Sequence, residues 1–243
     1  AILWFGGGMV NAGSMQVGRL TGFLSYVLQI LNSLMMISNV FLLLTRSMAS
    51  GARILEVIDE KVDLTDEKVR NIEVERGSVD FEHVWFKYKK EAKEYVLSDI
   101  SFHIEAGQTV GVIGQTGAAK STLVQLIPRL YDATEGVVKV DGVPVQEYPM
   151  AHLREAIAMV LQKNTLFSGS LLDNLRWGKE DASMEEIEEA CRIACVDEVL
   201  ERLPEGYETE MGQGGVNVSG GQKQRICIAR ALLKKPKILI LDD

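Results

Sequence analysis

The hydrophobic pattern divides the chain into an apolar beginning and a mixed remainder. Residues 1–10 are almost entirely apolar and predict the end of a membrane helix, and the polar, glycine-containing stretch 11–18 predicts a tight loop. Residues 20–45 then run without a charge, which as a helix spans about 39 Å and exceeds the roughly 30 Å hydrocarbon core of a bilayer. This length favours a transmembrane helix over a buried helix of a water-soluble protein, and Arg46 and Arg53 at its end indicate the cytoplasmic side.

The predicted transmembrane helix is not uniformly apolar. One face carries polar or polarisable side chains at helical spacing, namely Ser25, Gln29, Asn32, Met36 and Asn39. In a membrane, such a face turns towards other helices or towards a water-filled cavity. The sequence leaves two interpretations open: a face that only packs against neighbouring helices, and a face along a substrate pathway.

After this helix the pattern changes to short alternating segments. Residues 59–78 are charged and lack periodicity, which predicts a linker. Strand and helix patterns then share residues 79–243, which is typical of an α/β domain, and an acidic helical portion covers about residues 165–230. Strands are predicted for 79–86, 96–104, 136–140, 158–161 and 238–241, and a turn for Asp141-Gly142.

A glycine-containing segment between a strand pattern and a helix pattern carries the strongest chemical signal. The β-branched run 109–113 predicts a buried strand, GQTGAAKST follows, and a helical pattern occupies 120–130. This order is typical of a P-loop, whose backbone N–H groups surround phosphates while Lys120 reaches the β/γ-phosphates and Ser121 ligates Mg²⁺. The predicted nucleotide-binding residues are Gly114, Gln115, Thr116, Gly117, Ala118, Ala119, Lys120, Ser121 and Thr122.

Ala119 departs from the usual P-loop pattern, which has glycine directly before the lysine. Its methyl group would crowd the approach of a phosphate. The sequence therefore predicts a loop that binds nucleotide with an altered geometry. A strand–turn–helix without a ligand is the alternative for this loop taken alone.

A second helix start has the composition of an anion site. Ser219 is predicted as the N-cap of the helical stretch QKQRICIARALLKK, and two glycines lie beside it. Serine, glycines and a helix N-terminus together favour phosphate binding by Ser219, Gly220, Gly221 and Gln222. The two predicted phosphate sites need not serve the same nucleotide.

Three single residues complete the candidate site. Asp242 follows the apolar run 238–241, which predicts a buried parallel strand, and ligands bind at the carboxyl edge of such sheets. Asp242 is therefore predicted to hold the Mg²⁺ shell. Gln162, at the end of another strand, is a candidate for contacting Mg²⁺ or the attacking water. Tyr88, which follows the first strand, is a candidate for stacking on adenine or an ordinary strand aromatic.

The net charge argues against nucleic acid as a partner, and the positions of the cysteines argue against disulfide bonds. The net charge is −8, and residues 1–58 contribute +2, so the remainder carries −10. An acidic domain argues against nucleic acid, which needs a basic face. Cys191, Cys195 and Cys227 lie in the part predicted to meet cytosolic nucleotide, so reduced thiols are expected. Cys191 and Cys195 are one helical turn apart, which favours helix packing over a metal pair.

The motifs QTGAAKST, Gln162, VSGGQKQR and ILILDD, in this order and spacing, resemble the nucleotide-binding domain of ABC transporters. The upstream LWFGG, the long helix and ASGARILEVIDE resemble the last membrane helices of ABC exporters, and LPEGYETEMGQGG resembles their loop that contacts the membrane domain. The resemblance implies an α-helical transmembrane segment (1–58), a linker (59–78) and an α/β P-loop ATPase domain with a helical subdomain (79–243, through Walker B).

The resemblance also implies a function for the matching residues. Tyr88 would stack on adenine, Lys120 and Ser121 would hold phosphate and Mg²⁺, and Gln162 would be the Q-loop residue. Ser219 to Gln222 would act on ATP held by a partner subunit. The family's function would be ATP-driven export of a small molecule, lipid or peptide, by a multi-pass protein of the cell membrane with cytoplasmic nucleotide-binding domains and ATP and Mg²⁺ as cofactors.

Two departures from the family pattern point in one direction. The family has glutamate after the Walker B aspartate, whereas this chain has Asp243, which sets the carboxylate back by about 1.5 Å from a water that it must polarise. Ala119 affects the same composite site, while VSGGQ is intact. The sequence therefore predicts the degenerate-site subunit of a heterodimer. A homodimer with slow hydrolysis, a soluble ABC-type ATPase and a receptor-like subunit that gates remain as alternatives.

Overall fold

The computed structural model describes residues 2–66, 69–212, 214–215 and 217–242. The chain divides into two compact units, Ala1–Asp63 and Leu64–Asp243. The first unit contains helix α1 (Ile2–Asn11) and helix α2 (Val17–Ile58). The second unit contains the remaining helices and all the described strands.

Helix α2 is a single helix of 42 residues, so the predicted transmembrane helix and its charged continuation are one element. It is the one helix among the described residues that is long and apolar enough to cross a membrane by length and composition. Gly6 of α1 permits the close approach of α2, because a Cβ at Gly6 would lie 2.3 Å from a methyl carbon of Leu20. The two helices are therefore paired tightly where the predicted loop joins them.

The predicted polar face of α2 is present. Ser25, Gln29, Asn32 and Met36 line one shallow surface cavity on this helix. The Ser25 hydroxyl donates to the carbonyl of Thr21, four residues earlier, and so needs no partner from outside the helix. The carboxamides of Gln29 and Asn32 are exposed on the same face. Both interpretations of this face stay predictions.

The second unit alternates strands and short helices. Its strands are β1 (Val79–Phe86), β2 (Leu97–Ile104), β3 (Glu135–Val140), β4 (Val143–Pro144), β5 (Ile157–Val160), β6 (Gly169–Ser170), β7 (Glu210–Met211) and β8 (Ile238–Leu241). Its α-helices are α3 (Lys120–Gln125), α4 (Met150–Ala156), α5 (Leu171–Arg176), α6 (Met184–Ile193), α7 (Asp197–Leu200) and α8 (Gly220–Leu233). Short 3₁₀ turns occupy Val145–Glu147 and Gly206–Glu208.

An antiparallel sheet in the order β2-β1-β3-β4 forms one layer. In β1, Phe81 and Val84 are buried on either side of a bulge, in an apolar core that also contains Val138 of β3 and Leu126. Asp141 and Gly142 both have positive φ, as a two-residue hairpin between β3 and β4 requires. The predicted strands and the predicted Asp-Gly turn are confirmed here.

Strands β5 and β8 form a parallel pair, with Ile157 opposite Ile238 and Val160 opposite Leu241. Because side chains alternate across a strand, β5 contributes to two cores. Ile157 belongs to the core of the antiparallel sheet, whereas Val160 belongs to the core of the helical portion. The parallel pair therefore lies between the two cores.

The helical portion packs α5 and α6 against α8 around a second apolar core. Three of its helices begin with a capping box, in which a serine accepts from the third helical N–H and that residue's side chain accepts from the serine N–H. The serines are Ser170, Ser183 and Ser219, with Asp173, Glu186 and Gln222 as their partners. The predicted N-cap at Ser219 is confirmed.

The structure corrects two predicted boundaries around the P-loop. Residues 109–113 form no strand within the described part of the chain, and Ile113 is 98% exposed, so the predicted buried strand is wrong. A β-branched run favours a strand only when neighbouring strands pair with it, and none of the described strands does so. Helix α3 ends at Gln125 instead of residue 130, because Pro128 disfavours helical backbone at the residue before it.

Residues 64–66 and 69–78, here called the strap, have no regular secondary structure, as the linker pattern predicts. The strap is nevertheless fastened to the domain. Arg129, only 4% exposed, donates from Nη2 to the carbonyl of Thr65 at 3.1 Å. The Arg70 N–H donates to the carbonyl of Glu147 at 2.7 Å, and the two side chains form an ion pair.

The strap ends on the carboxylate of Asp141. This carboxylate accepts backbone N–H groups from four consecutive strap residues, Glu75, Arg76, Gly77 and Ser78, at 2.8–2.9 Å. Burial alone would raise the pKa of Asp141, but these four donors outweigh burial and lower the pKa. A turn residue of the antiparallel sheet thus fixes the entry of the chain into β1.

Candidate nucleotide-binding site

The predicted P-loop contains two residues with left-handed backbone and a lysine that it holds through its own carbonyls. Gly117 has φ +84° and Ala119 has φ +59°, both in the left-handed region. The Lys120 ammonium donates to the carbonyls of Gly114 and Gln115, at 2.9 and 3.0 Å. The loop backbone therefore surrounds the Lys120 ammonium, and these two hydrogen bonds hold it inside the loop.

Ala119 occupies the position at which the usual pattern has glycine, and its backbone is in the left-handed region, which glycine adopts without a steric cost. Left-handed backbone costs a residue with a Cβ about 1–2 kcal/mol. The left-handed backbone at Ala119 therefore carries local strain. The altered loop geometry that the sequence predicts here stays a prediction.

Ser121 and Asp242 bring the two ends of the domain's sequence together. The Ser121 hydroxyl donates to Oδ1 of Asp242 at 3.0 Å. Asp242 follows β8, and its N–H donates to the carbonyl of Val160 at 2.9 Å, which continues the parallel pairing by one residue. A hydroxyl and a carboxylate at one point are the oxygen ligands that Mg²⁺ prefers, so these two residues fit a magnesium site.

Gln162 lies at the same edge of the parallel pair. Val160 is opposite Leu241, so Gln162 is two residues beyond the end of β5 and lies past the level of Asp242. Its side chain is exposed. Gln162 therefore follows β5 at the carboxyl edge of the parallel pair, and its contact with Mg²⁺ or the attacking water stays a prediction.

An aromatic group borders the same helix. Tyr88 is 54% exposed, and its hydroxyl is 2.8 Å from Oγ1 of Thr122, the residue after Ser121. The Tyr88 ring meets Phe86 and Tyr131 edge to face, at centroid distances of 4.9 and 5.2 Å. The sequence identified Tyr88 and Thr122, but it gave no signal for Tyr131, which is 43 residues from Tyr88.

A recess beside Gln162 was also not predicted. Phe167 and Trp177 stack at 4.3 Å with nearly parallel rings, and the Arg230 guanidinium lies over the Phe167 ring. These side chains, together with Lys163 and Lys234, line a cavity of about 370 Å³ along β5. The predicted Q-loop residue is thus followed by an aromatic and cationic surface.

The second predicted phosphate site lies on the helical portion. Ser219 caps α8, and its Oγ accepts the Gln222 N–H at 3.3 Å, which leaves the hydroxyl proton free to be donated. Gly220 and Gly221 are exposed, and a Cβ on either would meet nothing within 4 Å. The space beside this helix start is open, and anion binding there stays a prediction.

The remaining sequence predictions fall outside the site or outside the described residues. Asp243, predicted at the position of the catalytic base, is not among the described residues. Cys191 is buried in the helical core, whereas Cys195 follows α6 and is exposed, so helix packing holds for Cys191 alone. Among the residues that the structure describes, no cluster of three histidines, cysteines or carboxylates could hold a metal ion.

Comparisons with known proteins identify the family. The family model described as ABC transporter matches residues 97–243. The ABC transporter ATP-binding protein YfiB of Bacillus subtilis (strain 168) is 44% identical over 242 residues, which are 100% of this chain and 42% of that protein. The ATP-dependent lipid A-core flippase of Legionella pneumophila (strain Paris) is 35% identical over 230 residues, which are 95% of this chain and 39% of the flippase.

A solved structure is similar over nearly the same range. A bacterial Atm1-family ABC exporter with ATP bound superposes with a TM-score of 0.75 and 34% identity, over 93% of this chain and 40% of that one. The chain therefore spans about two fifths of the length of the relatives it matches.

Proposed function

Because this chain belongs to the ABC transporter family and carries its ATP-binding domain, we propose that it forms part of a membrane exporter subunit that uses ATP. In this proposal, ATP binding draws two nucleotide-binding domains together, and hydrolysis lets them separate. Helix α2 carries this motion into the membrane. The protein lies in the cell membrane with several spans, and its nucleotide-binding domain faces the cytoplasm.

The observation that carries the proposal is the hydrogen bond between Ser121 and Asp242 beside Lys120. Lys120 binds the β/γ-phosphates once it leaves the loop carbonyls, and Ser121 and Asp242 hold Mg²⁺ through oxygen atoms. Mg²⁺, when bound, neutralises charge on the phosphates. Gln162 contacts the metal ion or orients the attacking water at the same sheet edge.

The exported substrate is a small molecule, a lipid or a peptide. The polar face of α2 that contains Gln29 and Asn32 fits a substrate pathway and fits packing against neighbouring helices, because amides are costly in lipid unless either supplies them with partners. One relative is named as a flippase of lipid A-core, which supports a lipid among these classes. The net charge of −10 outside residues 1–58 argues against nucleic acid.

We further propose that the chain is the degenerate-site subunit of a heterodimer. Its own P-loop carries Ala119, and Asp243 replaces the glutamate that the family uses as catalytic base. Its Ser219 to Gln222 segment is complete and capped, and it binds ATP held by the partner. A homodimer that hydrolyses slowly at both sites is the alternative.

The proposed function is tested with the full-length protein in lipid vesicles. Lys120→Ala should weaken Mg-ATP binding at least about tenfold, because it removes a charged phosphate contact. Lys93→Ala, on the exposed turn between β1 and β2, is the matched control and should leave binding unchanged. Wild-type protein that binds no ATP, or that is recovered only in the soluble fraction, would overturn the proposal.

The proposal that Ser219 to Gln222 act on ATP held by the partner has its own test. Ser219→Arg should abolish the ATPase activity of the partner's site, because the side chain fills the space above the two glycines. Ser183→Arg breaks a similar capping box on α6 and is the matched control, which should cost stability but retain activity. Asp243→Glu should raise hydrolysis at this chain's site. Turnover in Ser219→Arg equal to wild type would show that Ser219 to Gln222 do not act on the partner's ATP.

A further inference from the structure

The ring of Tyr88 is fixed from several directions, although it is half exposed. Phe86, only 2% exposed, meets it edge to face with an interplanar angle of 82°. Tyr131 meets it at 87°, and Tyr131 also contacts Phe86 at 5.6 Å. The three rings form one cluster in which each touches the other two. Tyr88 therefore has little freedom to tilt or to turn its exposed face.

The hydroxyl of Tyr88 is fixed as well. It shares a hydrogen bond of 2.8 Å with Oγ1 of Thr122. Thr122 is 5% exposed, so its hydroxyl depends on Tyr88 more than on solvent. Because Thr122 directly follows Ser121 on α3, the bond ties the tip of the tyrosine to the helix that carries the predicted phosphate and Mg²⁺ ligands.

We propose that Thr122 and Tyr131 are positioning residues for the nucleobase, which act by holding the Tyr88 ring as a fixed stacking surface. This inference rests on the proposed nucleotide-binding function. A base gains most from a preorganised surface, because no ring has to be immobilised on binding. Thr122 also couples the two halves of the ligand, since a shift of α3 at the phosphates moves the surface that receives the base.

The proposal predicts different effects on the affinities for two ligands, ATP and inorganic triphosphate. ATP carries the base, whereas inorganic triphosphate carries only the phosphates. A residue that positions the stacking ring should change the affinity for ATP and leave the affinity for triphosphate unchanged. A residue that merely supports the P-loop should change both affinities together.

The test measures dissociation constants of Mg-ATP and of Mg-triphosphate by calorimetry on the full-length protein. Tyr131→Leu should weaken ATP binding about fivefold, the effect of one ring contact, with triphosphate binding unchanged. Thr122→Val lies in the P-loop itself, and it should weaken ATP binding about fivefold more than it weakens triphosphate binding, the effect of one neutral hydrogen bond. Thr122→Ser retains the hydroxyl, so unlike Thr122→Val it should bind ATP as tightly as wild type. Tyr95→Leu removes a tyrosine that packs on Trp85 instead, and it should change neither constant.

A double-mutant cycle gives a second measurement. Tyr88→Phe keeps the ring and removes the hydroxyl, so its effect and that of Thr122→Val should not add if both act through the shared bond. Equal losses for ATP and triphosphate, or no loss for either, would overturn the inference. Wild type that binds triphosphate as tightly as ATP would overturn it while the proposed function stands, and wild type that binds neither would overturn both.

Discussion

The Ser121 hydroxyl donates a hydrogen bond of 3.0 Å to Oδ1 of Asp242, across 121 positions of sequence. Ser121 is held by the first turn of α3, and Asp242 by the backbone bond that extends β8 past Val160. The bond therefore reports that the P-loop helix and the carboxyl edge of the parallel pair meet at one point. Two oxygen atoms already at this separation need little rearrangement to ligate one Mg²⁺.

The first prediction concerns the metal dependence of nucleotide binding. Asp242→Asn removes the charge that favours a divalent cation and keeps the size of the side chain. We expect it to weaken Mg-ATP binding at least about tenfold, equivalent to about 1.4 kcal/mol, with little effect on ATP binding in EDTA. Calorimetry with and without Mg²⁺ measures the difference.

The control for this change is Asp99→Asn, an exposed carboxylate that pairs with His83 on the antiparallel sheet. It should leave both affinities unchanged. If Asp242→Asn weakened ATP binding equally in EDTA, the carboxylate would support the loop and not the metal ion.

The second prediction concerns Ala119, which holds a left-handed backbone at φ +59°. Ala119→Gly removes a strain of about 1–2 kcal/mol, while the extra freedom of glycine in the unfolded chain costs about 0.4–1 kcal/mol. We expect a net gain of a few tenths of a kcal/mol to about 1 kcal/mol, seen as a higher melting temperature. ATP affinity should also rise, since a methyl group leaves the loop.

Ala118→Gly is the matched control, because Ala118 lies in the same loop without positive φ. It should lower the melting temperature, because glycine only increases the conformational freedom of the unfolded chain and relieves no strain at this position. Shifts of the same sign in both variants would mean that the φ of Ala119 carries no strain in the protein.

The sequence correctly predicted features that depend on residues close together in the chain, such as helix caps and tight turns. The capping serine of α8 was identified from Ser219, two glycines and Gln222, and the structure confirms it. The hairpin turn followed from Asp141 and Gly142 for the same reason, because a residue's own conformational preference decides both features.

The sequence failed where a distant partner decides the outcome. Nothing near Tyr131 in sequence indicates that it meets Tyr88, and nothing near Asp141 indicates four donors from the strap. The β-branched run 109–113 predicted a buried strand, but strand formation depends on neighbours that pair with it. The end of α3 is a different case, because Pro128 is a local signal that limits a helix whatever its apolar spacing, and the helical pattern to residue 130 gave it too little weight.

The third prediction concerns the hydrogen bonds that fasten the strap to Asp141 and their dependence on pH. The carboxylate of Asp141 accepts four N–H donors, and these lower its pKa despite burial. A lowered folded-state pKa means that the carboxylate stabilises the fold fully above about pH 4, the unfolded value. This contribution is lost as the pH falls through the folded pKa, when the protonated group no longer accepts all four bonds.

Asp141→Asn should therefore destabilise the protein by about 2 kcal/mol at neutral pH, the value of charge-assisted hydrogen bonds. The difference between wild type and variant should shrink below about pH 4. Urea unfolding at pH 7 and at lower pH values measures it, with the exposed Asp63→Asn as the control. A difference that stayed constant with pH would show that geometry, not charge, fastens the strap.

The last prediction concerns the thiols, which the sequence treated alike. Burial raises the pKa of Cys191 to about 11, although a hydrogen bond with Tyr207 partly offsets it. Burial also raises the pKa of Cys227, and the Arg230 charge offsets it only in part. Cys195 is exposed beyond the end of α6. Because the thiolate is the reactive form, a maleimide at pH 7 should label Cys195 at least about tenfold faster than the other two.

Peptide mass spectrometry of the labelled protein resolves the three sites. In denaturant all three cysteines should react at similar rates, which provides the control within the same chain. Rapid labelling of Cys191 in the native protein would mean that the helical core opens readily. Its packing against α8, and with it the position of Ser219, would then not be fixed.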